Sequence, residues 1–199
     1  RLRISKPMSM IPGGEFEHQV KEHREKIHRL FGVHSSVFRN TELIYNDEIG
    51  QQVLRMGFKG ILCEGSEHVL EERTPYQVYH HAEEDGMKLL LRSNRLSDDI
   101  AFRFHHGNPR LTVKQYMSWL KDIPAEDRVI VLGMDYETFG EHHKAETGIR
   151  NFLRELLTAI AKDKQFTLST PSEVLALITP VDRFSTDKLI SWADREKDI

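Results

Sequence analysis

The sequence predicts an α/β fold of parallel strands joined by helical crossovers. Three observations lead there. Short, nearly all-apolar runs such as residues 129–132 have the length and composition of strands buried on both faces. Amphipathic helix patterns lie between such runs, and the two kinds alternate along the chain instead of segregating. No repeat of about 20–50 residues and no low-complexity tract interrupts that order. At 199 residues the chain suits one domain, or part of a larger one.

After a turn at Pro12-Gly13-Gly14, the apolar positions Phe16, Val20, Ile27, Leu30 and Phe31 fall at helical spacing and predict one buried face, ending near Gly32. An extended run over 36–41 precedes Glu42. Asn46 reads as an N-cap, with Asp47 and Glu48 in the first turn complementing the helix dipole and Ile49, Val53, Leu54 and Met56 facing inward as far as Gly57. Residues 59–63, 88–92 and 128–134 read as strands, the last with the strongest pattern. Between the last two, Thr112 caps a helix whose inner face is Val113, Tyr116, Met117 and Leu120. A longer helix starts near Gly148 and turns Ile149, Phe152, Leu153, Leu156, Leu157 and Ile160 inward. Residues 166–169 read as a short strand, after which Thr170, Pro171 and Glu173 supply a cap, an N1 proline and a capping-box glutamate. Strands at roughly four or five places are too few to close a barrel of about eight. Either the sheet is open or its other strands lie outside this chain.

Composition narrows the function. With 28 Lys and Arg against 31 Asp and Glu, a net charge of −3, the chain lacks the basic clusters a phosphate backbone demands, so nucleic acid is a poor partner. No run approaches the roughly 20 apolar residues of a membrane span, so membrane insertion is not expected. Cys63 is the only cysteine, which forbids an internal disulfide and a cysteine-based zinc cage, and a reducing, cytoplasmic setting is expected. Arg1 opens the chain without a signal-peptide pattern and residues 194–199 end it without a helix stop, so a piece of a longer protein is expected.

In parallel α/β architectures catalytic groups gather just past the carboxyl ends of strands. Two such segments carry carboxylates directly after apolar runs: 38–47 with Glu42, and 133–142 with Asp135, Glu137 and Glu141. A pair of carboxylates on one rim suffices to cleave a glycosidic bond, one attacking the anomeric carbon and the other protonating the leaving oxygen. A separation of about 5–5.5 Å corresponds to retention through a covalent glycosyl-enzyme, and about 6.5–9.5 Å to inversion.

Phe38-Arg-Asn-Thr-Glu-Leu-Ile-Tyr45, Arg95-Leu-Ser-Asp-Asp-Ile-Ala-Phe-Arg-Phe104, Met134-Asp-Tyr-Glu-Thr-Phe-Gly-Glu-His142 and Thr170-Pro-Ser-Glu173, in this order, closely resemble the α-amylase branch of glycoside hydrolase family 57. The resemblance implies an incomplete TIM-like (β/α)7 barrel of which this chain carries the later strands. Residues 1–180 would be the C-terminal part of that catalytic barrel, and 181–199 the start of the following helical region. It implies a retaining mechanism on α-glucans without a cofactor, Glu42 at the nucleophile position, Asp135 at the acid/base position, and Glu137 matching a carboxylate of the substrate site. The family's amino-terminal His-Gln-Pro block, its second block and its fifth block are not found here. A 4-α-glucanotransferase uses the same two carboxylates and is the nearest rival. A metal-dependent carbohydrate deacetylase and a non-catalytic glycan-binding homologue are the readings from other classes.

Each candidate also has a plainer role. Glu42 is otherwise a surface glutamate opening a loop, and Asp135 an N-cap. Glu137 either contacts substrate or holds Arg39 or His142, and Arg39 either keeps Glu42 ionised or is a surface arginine. Asp98 and Asp99, near Arg95, are a charge network under the site or local caps. Tyr45 and Tyr136, flanking the carboxylates, are the preferred sugar-stacking rings, ahead of Tyr76, Tyr79 and Phe139, while Trp119 falls in a helical core stripe. The doublets His80-His81, His105-His106 and His142-His143 lack metal-ligand spacing, and adjacent side chains point apart, so no metal is expected. His18, His23 and His28 fall on different helix faces and read as solvated.

Overall fold

The computed structural model describes residues 14–105 and 110–193, so Pro12 and Gly13 of the predicted turn, His106 and the tail 194–199 lie outside the described residues. In chain order the elements are α1 (Glu15–Phe31), β1 (Val37–Arg39), α2 (Asp47–Arg55), β2 (Gly60–Glu64), α3 (Glu67–Leu70), β3 (Val78–His81), β4 (Lys88–Arg92), α4 (Asn94–Ala101), α5 (Val113–Lys121), α6 (Ile149–Lys162), α7 (Pro171–Leu177) and β5 (Asp182–Phe184). Single 3-10 turns occur at Thr41–Leu43, Tyr136–Phe139 and Ala145–Thr147.

The five strands form one sheet in the order β1-β2-β4-β3-β5. β1–β2, β2–β4 and β3–β5 are parallel, and the β3–β4 pair is antiparallel. The architecture is thus α/β, an incomplete barrel of mostly parallel strands, with one reversal that the alternating pattern does not predict. Four residues with two histidines, Val78-Tyr-His-His81, carry too little apolar signal to read as a strand. They form one because the chain folds back along β4, pairing Val78 with Leu90 and His80 with Lys88.

Strand alternation divides the core. Ile61, Cys63, Leu89, Leu91 and Tyr79 face a cluster that includes Phe16 and Val20 of α1 and Ile49 and Val53 of α2. Val78 and Leu90 face the other way, onto Val129 and Leu175 of α7. Leu89, Leu90 and Leu91 are all fully buried, each worth about 1.5–3 kcal/mol on burial, so β4 is the anchor of the sheet. A third cluster joins α4, α5 and α6 through Leu96, Ile100, Tyr116, Phe152 and Leu156.

Predicted helix ends are found in place. The Asn46 side chain accepts from the Ile49 amide at 3.0 Å, Thr112 accepts from Gln115 at 3.2 Å, and Thr170 with Glu173 forms the reciprocal capping box. Gly57 ends α2 with φ 84°, a left-handed turn that favours glycine. Gly60 serves packing instead: a Cβ there would lie 2.4 Å from Leu175, so the absent side chain admits α7 to the sheet. Lys88 then caps α7, donating to the Leu175 carbonyl at 2.6 Å and the Ile178 carbonyl at 3.1 Å.

Several expectations are corrected. The strong strand pattern at 128–134 yields only a bridge between Val131 and Arg92. The reason is competition for one edge: β3 already pairs with positions 88–90 of β4, leaving Arg92 alone, and the Val129 amide turns to the Tyr76 carbonyl. Residues 166–169 form no strand; Leu168 is exposed and Phe166 packs on the α5–α6 cluster. α1 buries only Phe16 and Val20, and Leu30 and Phe31 at its far end face solvent, as does Leu157 of α6. The described part of the 181–199 segment holds strand β5, a Tyr45–Ile190 bridge and turns. Among the described residues no helix is long and apolar enough to cross a membrane.

Candidate active site

β1 ends at Arg39, and the chain must then leave the sheet within a few residues. Buried Asn40 organises that exit, its Oδ1 accepting from the Thr41 amide and its Nδ2 donating to the Ile44 carbonyl, both at 3.0 Å. Glu42 and Leu43 follow with φ of 55° and 53°. Left-handed backbone at two successive non-glycine residues costs about 1–3 kcal/mol each and persists only where neighbours enforce it. Enforcement is visible. Leu43 is buried, Tyr45 and Ile190 exchange backbone hydrogen bonds at 3.0 and 2.9 Å, and the Glu42 carbonyl accepts from the Trp192 amide at 3.1 Å and Ser191 Oγ at 2.9 Å. The Glu42 side chain is turned outward to an exposed position, where Oε2 accepts from the Trp192 indole N–H.

Asp135 follows the 129–132 run on the same end of the sheet, because Val131 bridges Arg92 in the parallel sense and Arg92 is the last residue of β4. It occupies the N-cap position of the Tyr136–Phe139 turn, yet its side chain makes no capping bond; only its carbonyl is used, by the Thr138 amide at 3.1 Å. The exposed Asp135 carboxylate has no hydrogen bond or ion pair among the described residues. Glu137 and Tyr136 are exposed beside it, Tyr136 at 92%. The Glu137 carbonyl receives the Glu141 and His142 amides at 2.9 and 3.0 Å, so His142 is met through backbone rather than through an ion pair.

A buried charged group lies at the same strand ends. Glu64 closes β2 and Arg92 closes β4 in register with it, and Arg92 Nη1 donates to the Glu64 carboxylate at 3.0 and 3.3 Å. Arg92 Nη2 meets Asp98 of α4, and its Nε donates to the Gly133 carbonyl at 2.5 Å. Arg92 also stands over the Trp192 ring at 5.5 Å from its centroid, and Arg39 does so at 4.9 Å. A chain of contacts therefore runs from Glu42 through Trp192 and Arg92 to Gly133, two residues before Asp135.

Among the predicted site residues, Glu42 and Arg39 meet at Trp192, and Asp135, Tyr136 and Glu137 share one turn. Tyr45 is a correction. It is fully buried, its hydroxyl bonds Asp47 at 3.3 Å, and burial drives its phenol well above the ordinary value, so no face is open to a sugar. Asp98 supports Arg92, while Asp99 pairs locally with Arg103 at 2.6 Å. Sequence reasoning missed Glu64, Arg92 and Trp192. A glutamate and an arginine at the C-terminal ends of two apolar strands were the available signal for the first two.

Of the predicted histidine doublets, His81 and His143 are buried and hydrogen-bonded, while His142 is exposed. His81 is buried against the Asp47 carbonyl at 2.8 Å, His143 bonds the Ala101 carbonyl at 2.8 Å, and its Nδ1 lies 3.0 Å from that of His105. Among the described residues no three His, Cys, Asp or Glu side chains are grouped to hold a metal. A cavity of about 480 Å³ is lined by Lys21, Arg24 and His28 of α1 and Arg55 of α2, and none of the predicted site residues lines it.

The family model described as Glycosyl hydrolase family 57 matches residues 7–191. A protein of Methanocaldococcus jannaschii named "Putative alpha-amylase" is 46% identical over 193 residues, which cover 93% of this chain and 40% of that protein. The solved structure of the 4-alpha-glucanotransferase from Thermococcus litoralis matches with a TM-score of 0.72 at 21% identity, over 94% of this chain and 29% of its own. That of the alpha-amylase AmyC from Thermotoga maritima matches with a TM-score of 0.63 at 15% identity, over 88% of this chain and 47% of its own. These structural likenesses concern the fold, and the chain spans less than half the length of each relative.

Proposed function

Because this chain belongs to glycosyl hydrolase family 57, we propose that it carries the reacting carboxylates of a retaining enzyme that hydrolyses α-1,4-glucosidic bonds in starch, glycogen or maltodextrin. Glu42 attacks the anomeric carbon and forms a β-glycosyl ester as the glycosidic bond breaks. Asp135 gives its proton to the departing oxygen. In the second step Asp135 takes a proton from water, whose oxygen displaces Glu42 and restores both groups. Arg39, Glu137 and Tyr136, all exposed beside the two carboxylates, contact the sugar.

The observation that carries this reading is the exposed Asp135 carboxylate, engaged by no side chain or amide among the described residues, on the same strand-end rim as Glu42, with the buried Arg92 bonded to the Gly133 carbonyl and lying over the Trp192 ring whose N–H bonds Glu42. A carboxylate whose only role was to cap the Tyr136–Phe139 turn would bond that turn's amides, and this one does not.

The test is turnover of maltooligosaccharides by the full-length protein and by Glu42→Gln and Asp135→Asn. Asp135→Asn is expected to lose about 10²- to 10⁴-fold in kcat, and Glu42→Gln on the order of 10³-fold or more. Azide added to Glu42→Ala with an α-maltosyl fluoride restores turnover and gives the β-azide. Undiminished activity in either of the first two variants removes that residue from the mechanism. Products longer than the substrate would reassign the second step to transfer onto a sugar acceptor.

A further inference from the structure

We infer that Trp192 is a positioning residue for Glu42, and that Arg92 holds Trp192 in register with the segment leading to Asp135. The inference rests on Glu42 being the nucleophile. Glu42 is contacted twice by one residue: the Trp192 amide bonds its carbonyl at 3.1 Å and the indole N–H bonds Oε2. Backbone and carboxylate are thereby fixed together at a residue whose φ of 55° is not one it would choose alone. An indole N–H is a donor only and exchanges no proton with a carboxylate, so it occupies one oxygen without competing in the chemistry. Oε1 is left to attack.

The indole is itself held. Arg39 lies over its ring from the end of β1 and Arg92 from the end of β4. Arg92 is nearly inaccessible and is fixed by Glu64, by Asp98 and by the Gly133 carbonyl. Movement of the segment bearing Asp135 is thus transmitted through one rigid guanidinium to the donor that aims Glu42. An attack geometry needs the reacting atoms aligned within fractions of an ångström, and a misplacement of about 1 Å costs about 100-fold in rate.

The experiment uses the full-length protein and compares Trp192→Phe, Ser191→Ala and Glu42→Gln. Trp192→Phe keeps the ring and removes the donor; kcat is expected to fall about 10- to 100-fold with KM within about twofold, because aim and not sugar contact is lost. A purely structural tryptophan would lower thermal stability without that split. Independently of activity, the indole N–H cross-peak that Trp192→Phe deletes from an amide-correlation NMR spectrum is expected to shift in Glu42→Gln. An unshifted peak, or a folded Trp192→Phe with kcat within twofold of the parent, overturns the inference. Should Trp192→Phe not fold, the peak is assigned by its shift in Ser191→Ala, and its response to Glu42→Gln decides. Full activity of Glu42→Gln would instead defeat the nucleophile assignment, an outcome separate from failure of the positioning role.

Discussion

Glu64 and Arg92 stand opposite each other at the C-terminal ends of adjacent parallel strands, both withdrawn from solvent, with Nη1 and Oε2 3.0 Å apart. Breaking a buried ion pair is costly, and here Asp98 still compensates part of the Arg92 charge once Glu64 is neutralised. Glu64→Gln is therefore expected to lower the unfolding free energy by about 1.5–3 kcal/mol, read from urea denaturation of the full-length protein. A loss under about 1 kcal/mol would mean that Asp98 and the Gly133 carbonyl suffice for Arg92.

Tyr45 and Tyr136 flank the two carboxylates in sequence and occupy opposite environments, fully buried and 92% exposed. Tyr45→Ala removes a core ring packed against Phe184 and is expected to cost about 3–5 kcal/mol. Tyr136→Ala should leave stability within about 0.5 kcal/mol and raise KM for maltooligosaccharides severalfold. An unchanged KM in Tyr136→Ala would take that ring out of the sugar contacts.

Much of this division was legible in the sequence and part of it was not. Helix starts at Asn46, Thr112 and Thr170 were readable because capping is chemistry between residues two or three apart. The strands 60–64 and 88–92 announced themselves by near-continuous apolar runs. Residues 128–134 show the limit. Their composition suits a strand, but pairing depends on which segment occupies the edge of β4, and β3 holds most of it. Tyr45 failed as a stacking candidate for a related reason, since the residue after the Glu42 turn can face outward or inward and only the bridge to Ile190 decides. Trp192 was invisible because its partner lies about 150 residues earlier. Nothing local in 189–193 indicates a carboxylate.

Cys63 lies on the buried face of β2, and burial pushes its thiol well above the ordinary range. The thiolate that reacts with disulfide reagents and alkylators is therefore scarce as well as enclosed. Native protein is expected to leave Cys63 unlabelled by iodoacetamide over hours, with labelling appearing as urea unfolds the chain. Rapid labelling of Cys63 in the folded state would show that β2 opens locally without global unfolding.

The Glu173 carboxylate accepts the Thr170 amide at 2.7 Å and the Thr170 hydroxyl at 2.8 Å, and these bonds hold it below its ordinary value of 4.5. A carboxyl whose folded value is depressed stabilises the fold fully above its unfolded value and loses that contribution as pH falls through the folded one. Glu173→Gln keeps the shape and removes the charge. The wild-type advantage in Tm over Glu173→Gln should be constant from neutral pH down to about 5, shrink below 4.5, and vanish once the folded carboxyl is protonated. The difference between the two proteins isolates this group, because the other carboxylates titrate in both. Thr170→Ala removes both the hydroxyl bond to Glu173 and the cap to the Glu173 amide, so it should narrow the pH-dependent part of that gap. A gap that stays level from pH 7 to 3 would mean the capping box persists with a neutral acid, and its charge contributes nothing to α7.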